Sequence, residues 1–237
     1  MQKPGRLIKR QKLATRISHW IWAICLFFLL LSGLQIFNAH PALYLGDQSG
    51  FTYDNAILRF EGFPSWATIP SGQDLATGRV VHFFFAWILV ATLAFWLAAS
   101  LRNRHLRKDL LPTRQDARNF FPDIRDHLRL KLVHAARYSP LQKLAYGGVL
   151  FVLFPLIVLT GLCMSPAMNA VLPWLPELFG GRQSARTVHF IVMLLLIAFF
   201  IVHMAMILLA GPLNELRSII TGHYRLSPKH GKDGPHA

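Results

Sequence analysis

The sequence predicts an all-α integral membrane protein in which four helices cross the bilayer as a bundle. Hydrophobic residues make up 53% of the 237 residues, and only 15% are charged although the net charge is +14. A typical globular chain is about one-quarter charged, so apolar and basic residues must be segregated along this one. A soluble basic enzyme, a disordered chain and a disulfide scaffold (only Cys25 and Cys163 are present) are therefore poor fits.

Four stretches of the chain contain no Asp, Glu, Lys or Arg. They are residues 17–37, 80–100, 144–165 and 187–210. Each is close to the roughly 20 residues with which a helix crosses a hydrocarbon core. Because a backbone in lipid must satisfy its own hydrogen bonds, each stretch is predicted to be helical. The alternative, a soluble helical bundle, would give each helix a polar face, which these stretches lack.

The charges between these stretches predict the orientation of the chain. The segment 1–16 carries +6, the loop 101–143 carries +7 and the tail 211–237 carries +2. The loops 38–79 and 166–186 carry −2 and +1. By the positive-inside rule, both termini and loop 101–143 face the cytoplasm, and the two nearly neutral loops face outward.

Two of the loops are long enough to carry structure of their own. Loop 101–143 alternates Arg and Leu, so a helix on the inner membrane surface is expected there. The carriers of that pattern are Leu106, Arg107, Leu110, Leu128, Arg129 and Leu130. The outer loop 38–79 is aromatic and rich in turn residues, and such a loop is unusual without a function. We expect it to cover a site or to dock an external partner.

Four histidines lie inside the predicted spans: His19, His82, His189 and His203. A polar side chain at membrane depth is costly and indicates a functional site. Because His189 and His203 are 14 residues apart, they lie within about 40° of one helix face and about 21 Å apart along it. The topology puts His82 level with His189 near the outer side, and His19 level with His203 near the inner side. Two stacked histidine pairs are predicted.

Two facing imidazoles without a nearby carboxylate or thiolate suit a planar metal macrocycle with both axial positions filled. Haem iron is held by such axial ligands, whereas zinc takes a tetrahedral set. The chain has no Cys-x-x-Cys-His, so the expected haems are b-type, held by ligation and packing alone. The sequence thus predicts two haem b groups, with the outer iron between His82 and His189 and the inner iron between His19 and His203.

Three arginines, Arg16, Arg79 and Arg186, each precede a membrane histidine by three residues. That spacing puts the guanidinium and the imidazole on one helix face, and a guanidinium can bind a carboxylate through two hydrogen bonds. We expect these arginines to be partners of the haem propionates. The alternative is that they simply flank membrane helices, as arginine commonly does.

Glycines repeat the 14-residue interval of the histidines. Gly147 and Gly161 are 14 residues apart in the third span, and Gly33 follows His19 by 14 residues. They either let porphyrin rings approach the helix backbone or serve the close packing that small residues allow between membrane helices.

Three segments around the histidines and one in the third span, which has no histidine, match a known pattern. They are residues 16–20, 77–83, 159–166 and 184–189, the last continuing to His203. Over about residues 10–225 the chain resembles the di-haem cytochrome b subunits of nickel–iron hydrogenases, formate dehydrogenases and thiosulfate reductases, in the superfamily that includes bacterial cytochrome b561. The resemblance implies the same two axial pairs. Loop 38–79 and residues 211–218 look most like the branch that serves molybdopterin oxidoreductases.

The resemblance also implies a quinone site beside the inner haem. Ser139, Gln142, Lys143 and Tyr146 lie at the inner start of the third span, near the expected layer of His19. They are the candidate quinone contacts, and their alternative role is a polar cap at the start of a helix.

The predicted function is electron transfer, so no catalytic side chain is expected. A periplasmic catalytic or electron-transfer subunit (molybdopterin-, iron–sulfur- or haem-containing) exchanges electrons with the outer haem, and membrane quinone reacts at the inner haem, in a bacterial inner membrane. Two alternatives stay open. One is a self-contained cytochrome that acts on a small diffusible substrate with quinone, and the other is a proton or metal transporter that uses intramembrane histidine. The positive charge is a topology signal and indicates no nucleic-acid partner.

Overall fold

The computed structural model describes residues 6–50, 52–103, 113–129 and 139–225. Helices dominate it, and four of them are long and apolar enough to cross a membrane. These four are Leu13–Asn38, Leu75–Arg102, Pro140–Cys163 and Arg182–Ala210. The predicted fold class, a helical membrane protein with four spanning helices, is confirmed.

Shorter helices and strands lie between the four spans and at both ends of the described chain. The helices are α1 (Leu13–Asn38), α2 (Leu75–Arg102), α3 (Arg114–Leu128), α4 (Pro140–Gly148), α5 (Phe154–Cys163), α6 (Pro166–Val171), α7 (Arg182–Ala210) and α8 (Pro212–Thr221). The strands are β1 (Leu7–Lys9), β2 (Ala42–Leu43), β3 (Leu58–Arg59) and β4 (His223–Arg225). The third span consists of α4, the π-helical segment Val149–Leu153 and α5.

Each spanning helix begins before the charge-free stretch that predicted it. The first two turns of α1, α2, α4 and α7 therefore include a basic residue. These residues are Arg16, Arg79, Lys143 and Arg186. Long basic side chains bury their aliphatic stems while the charged head reaches the membrane surface. A charge in the first turns is therefore compatible with a helix that crosses the bilayer.

The third span changes its winding near its middle. The π-helical segment Val149–Leu153 directly precedes the first turn of α5, which contains Pro155. Proline has no backbone N–H to donate to the preceding turn, and a local π segment is one way in which a helix accommodates such an interruption. The span continues through the proline to Cys163.

The spanning helices carry large apolar side chains on their exposed surface. Phe84 in α2 and Ile201 in α7 are each 61% exposed. A soluble monomer rarely exposes large contiguous apolar patches, whereas lipid tails are as apolar as these side chains. This surface is that of a multi-pass membrane protein.

The chain divides into two compact units. The terminal unit comprises Met1–Trp20, Phe95–Gly148 and Phe199–Ala237, and the central unit comprises Ile21–Ala94 and Val149–Ala198. The strongly basic segments therefore belong to the terminal unit, and both nearly neutral loops belong to the central unit.

In the terminal unit, the two ends of the described chain are joined. Strands β1 and β4 pair antiparallel, with Ile8 opposite Tyr224. The guanidinium of Arg10 lies 4.6 Å from the centroid of the buried Tyr224 ring and pairs with the carboxylate of Glu215 at 3.4 Å. The two ends of the described chain therefore lie side by side.

Also in the terminal unit, α3 is anchored to the start of α4. Lys143 Nζ lies 2.8 Å from Asp116 Oδ2, and the backbone N–H of Leu141 donates to Asp123 Oδ2 at 2.9 Å. A helix was expected in loop 101–143, and α3 lies there; its position on a membrane surface stays a prediction. Four residues of the expected pattern, Leu106, Arg107, Leu110 and Leu130, lie outside the described residues.

In the central unit, the outer loop 38–79 folds onto the ends of the spanning helices. Strands β2 and β3 pair antiparallel. A buried cluster of Phe37, Leu43 and Phe190 joins the loop to α1 and α7. The Thr187 hydroxyl donates to the Tyr44 carbonyl at 2.7 Å. Because Thr187 lies two residues before His189, this hydrogen bond holds the loop next to one of the intramembrane histidines.

Candidate metal centres

His82 of α2 and His189 of α7 face each other in the central unit. Their ring centroids are 6.4 Å apart, and the ring planes are inclined by 58°. A metal–imidazole bond is about 2 Å long, so two imidazoles on opposite sides of one metal ion have ring centroids about 6 Å apart. The observed separation fits two ligands of a single metal.

Each ring of this central pair contacts a buried hydroxyl. His82 Nδ1 lies 3.1 Å from the Ser32 hydroxyl, and His189 Nδ1 lies 3.0 Å from the Thr160 hydroxyl. Both hydroxyl residues are fully buried. Neither hydroxyl was predicted from the sequence, although Ser32 directly precedes Gly33 and Thr160 directly precedes Gly161.

Those glycines also contact the central pair. A Cβ at Gly33 would lie 3.3 Å from His82 Cε1, and a Cβ at Gly161 would lie 3.4 Å from His189 Cε1. Both distances are at or inside the short end of the usual Cβ contact range. The three glycines were expected to admit porphyrin or helix packing. In the structure Gly33 and Gly161 lie against imidazole rings, whereas a Cβ at Gly147 would have no described atom within 4 Å.

His19 of α1 and His203 of α7 face each other in the terminal unit. Their ring centroids are 6.3 Å apart, and the planes are inclined by 52°. Phe199 stacks on His203 at 5.7 Å, and the Tyr146 ring meets His203 edge-on at 6.4 Å. His19 Nδ1 is buried and has no hydrogen-bond partner among the described residues. This separation also fits two ligands of one metal.

The three arginines expected beside the histidines have different contacts. Arg16 donates to the carbonyl of Ile220, Arg186 donates to the carbonyl of His40, and Arg79 lies 5.8 Å from the centroid of the Phe83 ring. Within the described ranges, no carboxylate forms an ion pair with any of the three. Their positive charges are therefore not neutralised by a described acidic side chain.

The four candidate quinone contacts are brought together only in part. Ser139 and Gln142 cap the start of α4 reciprocally: the Ser139 N–H donates to Gln142 Oε1 at 3.1 Å, and the Gln142 N–H donates to Ser139 Oγ at 3.3 Å. Lys143 is paired with Asp116. Tyr146 alone among the four has a ring contact with a paired histidine, His203.

The outer loop adds an aromatic stack that the sequence did not indicate. The His40 ring stacks on Tyr53 at 4.7 Å and on Tyr44 at 5.5 Å, and His40 Nε2 lies 2.7 Å from the Tyr44 hydroxyl. Burial and the positive charge of Arg186 lower the pKa of His40. A neutral imidazole is therefore favoured at this position.

The described residues contain no group of three or more His, Cys, Asp or Glu side chains that could hold a metal ion. Each histidine pair thus offers two protein ligands, the number that an iron already held by four porphyrin nitrogens takes from a protein in a bis-histidine site.

Four apolar spanning helices with intramembrane histidines in facing pairs define the membrane cytochrome b class. The chain belongs to the prokaryotic cytochrome b561 family, whose model matches residues 10–222. The family expected from the sequence is confirmed. The protein is thus a multi-pass membrane cytochrome b that binds haem b and takes part in electron transport.

One relative extends the comparison over most of both chains. The chain is 31% identical over 212 residues to YedZ1 of Azospira oryzae, a putative protein-methionine-sulfoxide reductase subunit. The alignment covers 88% of this chain and 93% of the relative. The match to the family model, over residues 10–222, includes all four spanning helices.

Proposed function

We propose that this cytochrome carries electrons between a redox subunit outside a bacterial inner membrane and the quinone pool, through two haem b sites. The observation that carries the proposal is the repetition of one geometry: the ring centroids are 6.4 Å apart in one histidine pair and 6.3 Å apart in the other. If the histidines served only as polar contacts between helices, two pairs with the same separation would not be expected.

The axial ligands of the two irons would be His82 with His189 in the central unit and His19 with His203 in the terminal unit. Bound haem supplies reversible one-electron chemistry, and the protein tunes it through axial ligands, hydrogen bonds and burial. The buried Nδ1 of His19 has no hydrogen-bond partner among the described residues. Because buried polar atoms are normally satisfied, this supports a bound group at the site.

Arg16, Arg79 and Arg186 would bind the haem propionates. The support is the absence of an acidic partner for any of them among the residues that the structure describes. A guanidinium can keep one hydrogen bond to a backbone carbonyl and still donate to a carboxylate, because it has five N–H groups. Its other N–H groups then orient the carboxylate.

The quinone would react beside the terminal pair, on the cytoplasmic side. Tyr146 supports this location, because its ring contacts His203 and its hydroxyl can exchange hydrogen bonds with a quinone oxygen. Ser139, Gln142 and Lys143 lie within one turn of each other at the start of the same helix and would border the same site.

The redox partner would dock on the periplasmic side, where the outer loop 38–79 contacts the start of α7. The basic termini and loop 101–143 support a cytoplasmic location of both chain ends. The Azospira relative is named as a reductase subunit. By analogy, this chain would serve a catalytic subunit, for which a molybdopterin enzyme is our first choice.

Haem quantification on the purified chain tests the two-site proposal. We expect two haem b per chain and a reduced-minus-oxidised spectrum with two components that titrate at different potentials. One haem per chain would overturn the two-site assignment. A chain that carries no haem when expressed with an adequate haem supply would overturn the proposed function itself.

Reduction by a quinol and copurification from native membranes test the two ends of the electron path. We expect a quinol to reduce the bound haem and a redox subunit to copurify in stoichiometric amount. Recovery of the cytochrome alone, with full activity toward a small diffusible substrate, would favour the self-contained oxidoreductase instead.

A further inference from the structure

We infer that two hydroxyl–glycine steps, Ser32–Gly33 on α1 and Thr160–Gly161 on α5, are matching cradles that hold His82 and His189 with Nε2 directed to the iron. The hydroxyls and glycines are positioning residues, since they act through the imidazoles. The inference deepens the proposed function and rests on it, because it concerns ligands of the central haem.

The first cradle fixes the tautomer of His82 by elimination. The Ser32 hydroxyl donates its single hydrogen to the carbonyl of Phe28 at 2.6 Å. Its oxygen can therefore only accept at the 3.1 Å contact with His82 Nδ1. Nδ1 then carries the proton, and the lone pair of the neutral ring is on Nε2.

The second cradle repeats this arrangement on another helix. The Thr160 hydroxyl donates to the carbonyl of Leu156 at 2.6 Å and lies 3.0 Å from His189 Nδ1. In both cases the carbonyl belongs to the residue four positions earlier in the helix. The oxygen again accepts from Nδ1–H, so both rings of the central pair offer Nε2.

The glycine that follows each hydroxyl gives the ring its room. A Cβ at Gly33 or at Gly161 would lie 3.3 or 3.4 Å from the Cε1 atom of the imidazole. Cε1 lies between the two ring nitrogens, so a methyl group there would push the ring along the direction that sets the position of Nε2. The hydroxyl and a neighbouring backbone carbonyl (Leu29 for His82, Ile157 for His189) both favour a proton on Nδ1, and the glycine leaves room for the ring.

The terminal pair and α2 show that the arrangement is selective. His19 Nδ1 has no hydrogen-bond partner in the part of the chain that the structure describes. Thr92 on α2 donates to the carbonyl of Ile88 at 2.7 Å in the same manner as Thr160, but no imidazole of the described residues contacts it. Ser and Thr hydroxyls in helices commonly donate to the carbonyl four residues earlier. Ser32 and Thr160 differ from Thr92 in that they also contact a histidine.

A second hydrogen bond of this kind orients a ligating imidazole and raises its basicity. A more basic ligand stabilises the oxidised, more positive iron. Loss of the hydroxyl should therefore raise the reduction potential of the central haem and weaken its retention, while leaving the terminal haem unchanged.

Thr160→Val, Thr160→Ser and Thr92→Val test the hydroxyl in the purified, haem-loaded chain. Valine keeps the shape of threonine and removes the hydroxyl, serine keeps the hydroxyl and removes the methyl, and the change at Thr92 removes a hydroxyl that contacts no histidine. For Thr160→Val we expect haem affinity at the central site to fall about 10- to 100-fold. The one-electron equilibrium should shift toward reduction by up to about tenfold, or about 59 mV.

Thr160→Ser and Thr92→Val should keep the wild-type potential. The inference is overturned if Thr160→Val matches Thr92→Val in both potential and haem retention. It is also overturned if Thr160→Ser shifts the potential as far as Thr160→Val, because packing alone would then explain the change. If Thr160→Val retains too little haem for a potential to be measured, haem retention is compared instead. Lower retention than in Thr160→Ser supports the inference, and equal retention overturns it.

Gly161→Ala tests the other half of the cradle without touching the hydroxyl. We expect a changed low-spin ferric EPR signal from the central haem, since that signal reports how the axial imidazoles are oriented, together with weaker haem retention. An unchanged signal and unchanged retention would contradict the role given to the glycine. If the wild-type chain binds two haems and the variants behave like it, only this inference is overturned. If the wild-type chain binds no haem, the proposed function is overturned.

Discussion

The two histidine pairs have nearly the same separation but different surroundings. In the central pair, both rings contact a buried hydroxyl and a glycine. In the terminal pair, Phe199 and Tyr146 pack on His203, and His19 Nδ1 has no described partner. The ring spacing is thus common to both pairs, and the contacts behind the rings distinguish them.

This difference shows which contacts hold the imidazole rings in each pair. The rings of the central pair contact buried hydroxyls, and by our inference these hydrogen bonds fix the proton and the ring orientation. The terminal pair is held by aromatic packing, which is less directional. A site with fixed ligands suits electron exchange with a docked protein, and a site bordered by aromatic rings suits a planar lipid-soluble molecule that enters and leaves.

The largest expected effect comes from removing one ligand of each pair. We expect His189→Ala and His203→Ala each to lower the haem content from two to one per chain, because an axial ligand is lost at one site only. The His189 variant should keep quinol reactivity and the His203 variant should lose it. Haem quantification and quinol reduction of the purified variants measure both effects.

His223→Ala is the matched control, since His223 is an exposed histidine of β4 that belongs to neither pair. It should retain both haems. Loss of both haems from each ligand variant would break the comparison, because the two sites would then not be independent.

An intermediate effect is expected from the charge of Arg186. Arg186→Gln keeps a side-chain donor for the carbonyl of His40 and removes the positive charge. Loss of that charge favours the oxidised, more positive state, so the potential of the central haem should fall, by up to about 59 mV for a tenfold change in a one-electron equilibrium. A redox titration of the central and terminal components measures the shift.

Arg182→Gln provides the control for Arg186. Arg182 is in the first turn of the same helix, and its guanidinium likewise donates to a backbone carbonyl, that of Met164 at 2.9 Å. It should leave both potentials unchanged. Equal shifts from the two variants would show a general field effect instead of a propionate contact.

The smallest expected effect concerns the ion pair of Lys143 and Asp116 in the terminal unit. Although burial raises the pKa of Asp116, hydrogen bonds from Lys143 and Thr113 outweigh it and lower that pKa to about 2 from its ordinary 3.8. Because the folded-state pKa is depressed, the pair stabilises the protein above about pH 4 and this stabilisation is lost as the pH falls toward 2.

Asp116→Asn should therefore lower the free energy of unfolding by about 1 kcal/mol or less near neutral pH, which is about 2–4 °C in Tm. The difference from wild type should shrink between pH 4 and pH 2. Thermal unfolding in detergent measures it, with the exposed Glu61→Gln as control. A difference that is the same at pH 6 and pH 2 would contradict the ion-pair explanation.

The fold and the arrangement of the histidines follow from simple features of the sequence. Absence of charge over about 20 residues predicts a spanning helix, and loop charge orders the helix ends. With the ends ordered, His82 must lie level with His189, and His19 level with His203. Their adjacency is observed, while their role as haem ligands stays a prediction.

Other features depend on tertiary contacts that no local pattern encodes. Lys143 was a candidate quinone contact, but its partner Asp116 is 27 residues earlier on α3. Ser32 and Thr160 are ordinary residues for a membrane helix, and only their position before Gly33 and Gly161 could have distinguished them. Arg186 was expected to precede its histidine on one face, but its bond to the carbonyl of His40 depends on the folding of the outer loop.

The pairing of β1 with β4 has a consequence for biosynthesis. Because residues 7–9 meet residues 223–225, this sheet cannot form until the ribosome has made all four spans. Until then, the six basic side chains of the first 16 residues are available to the translocon and to anionic lipid headgroups. The same short segment is therefore unpaired while the spans are being inserted and paired in the finished protein, and a tag placed within either strand would disturb the pairing.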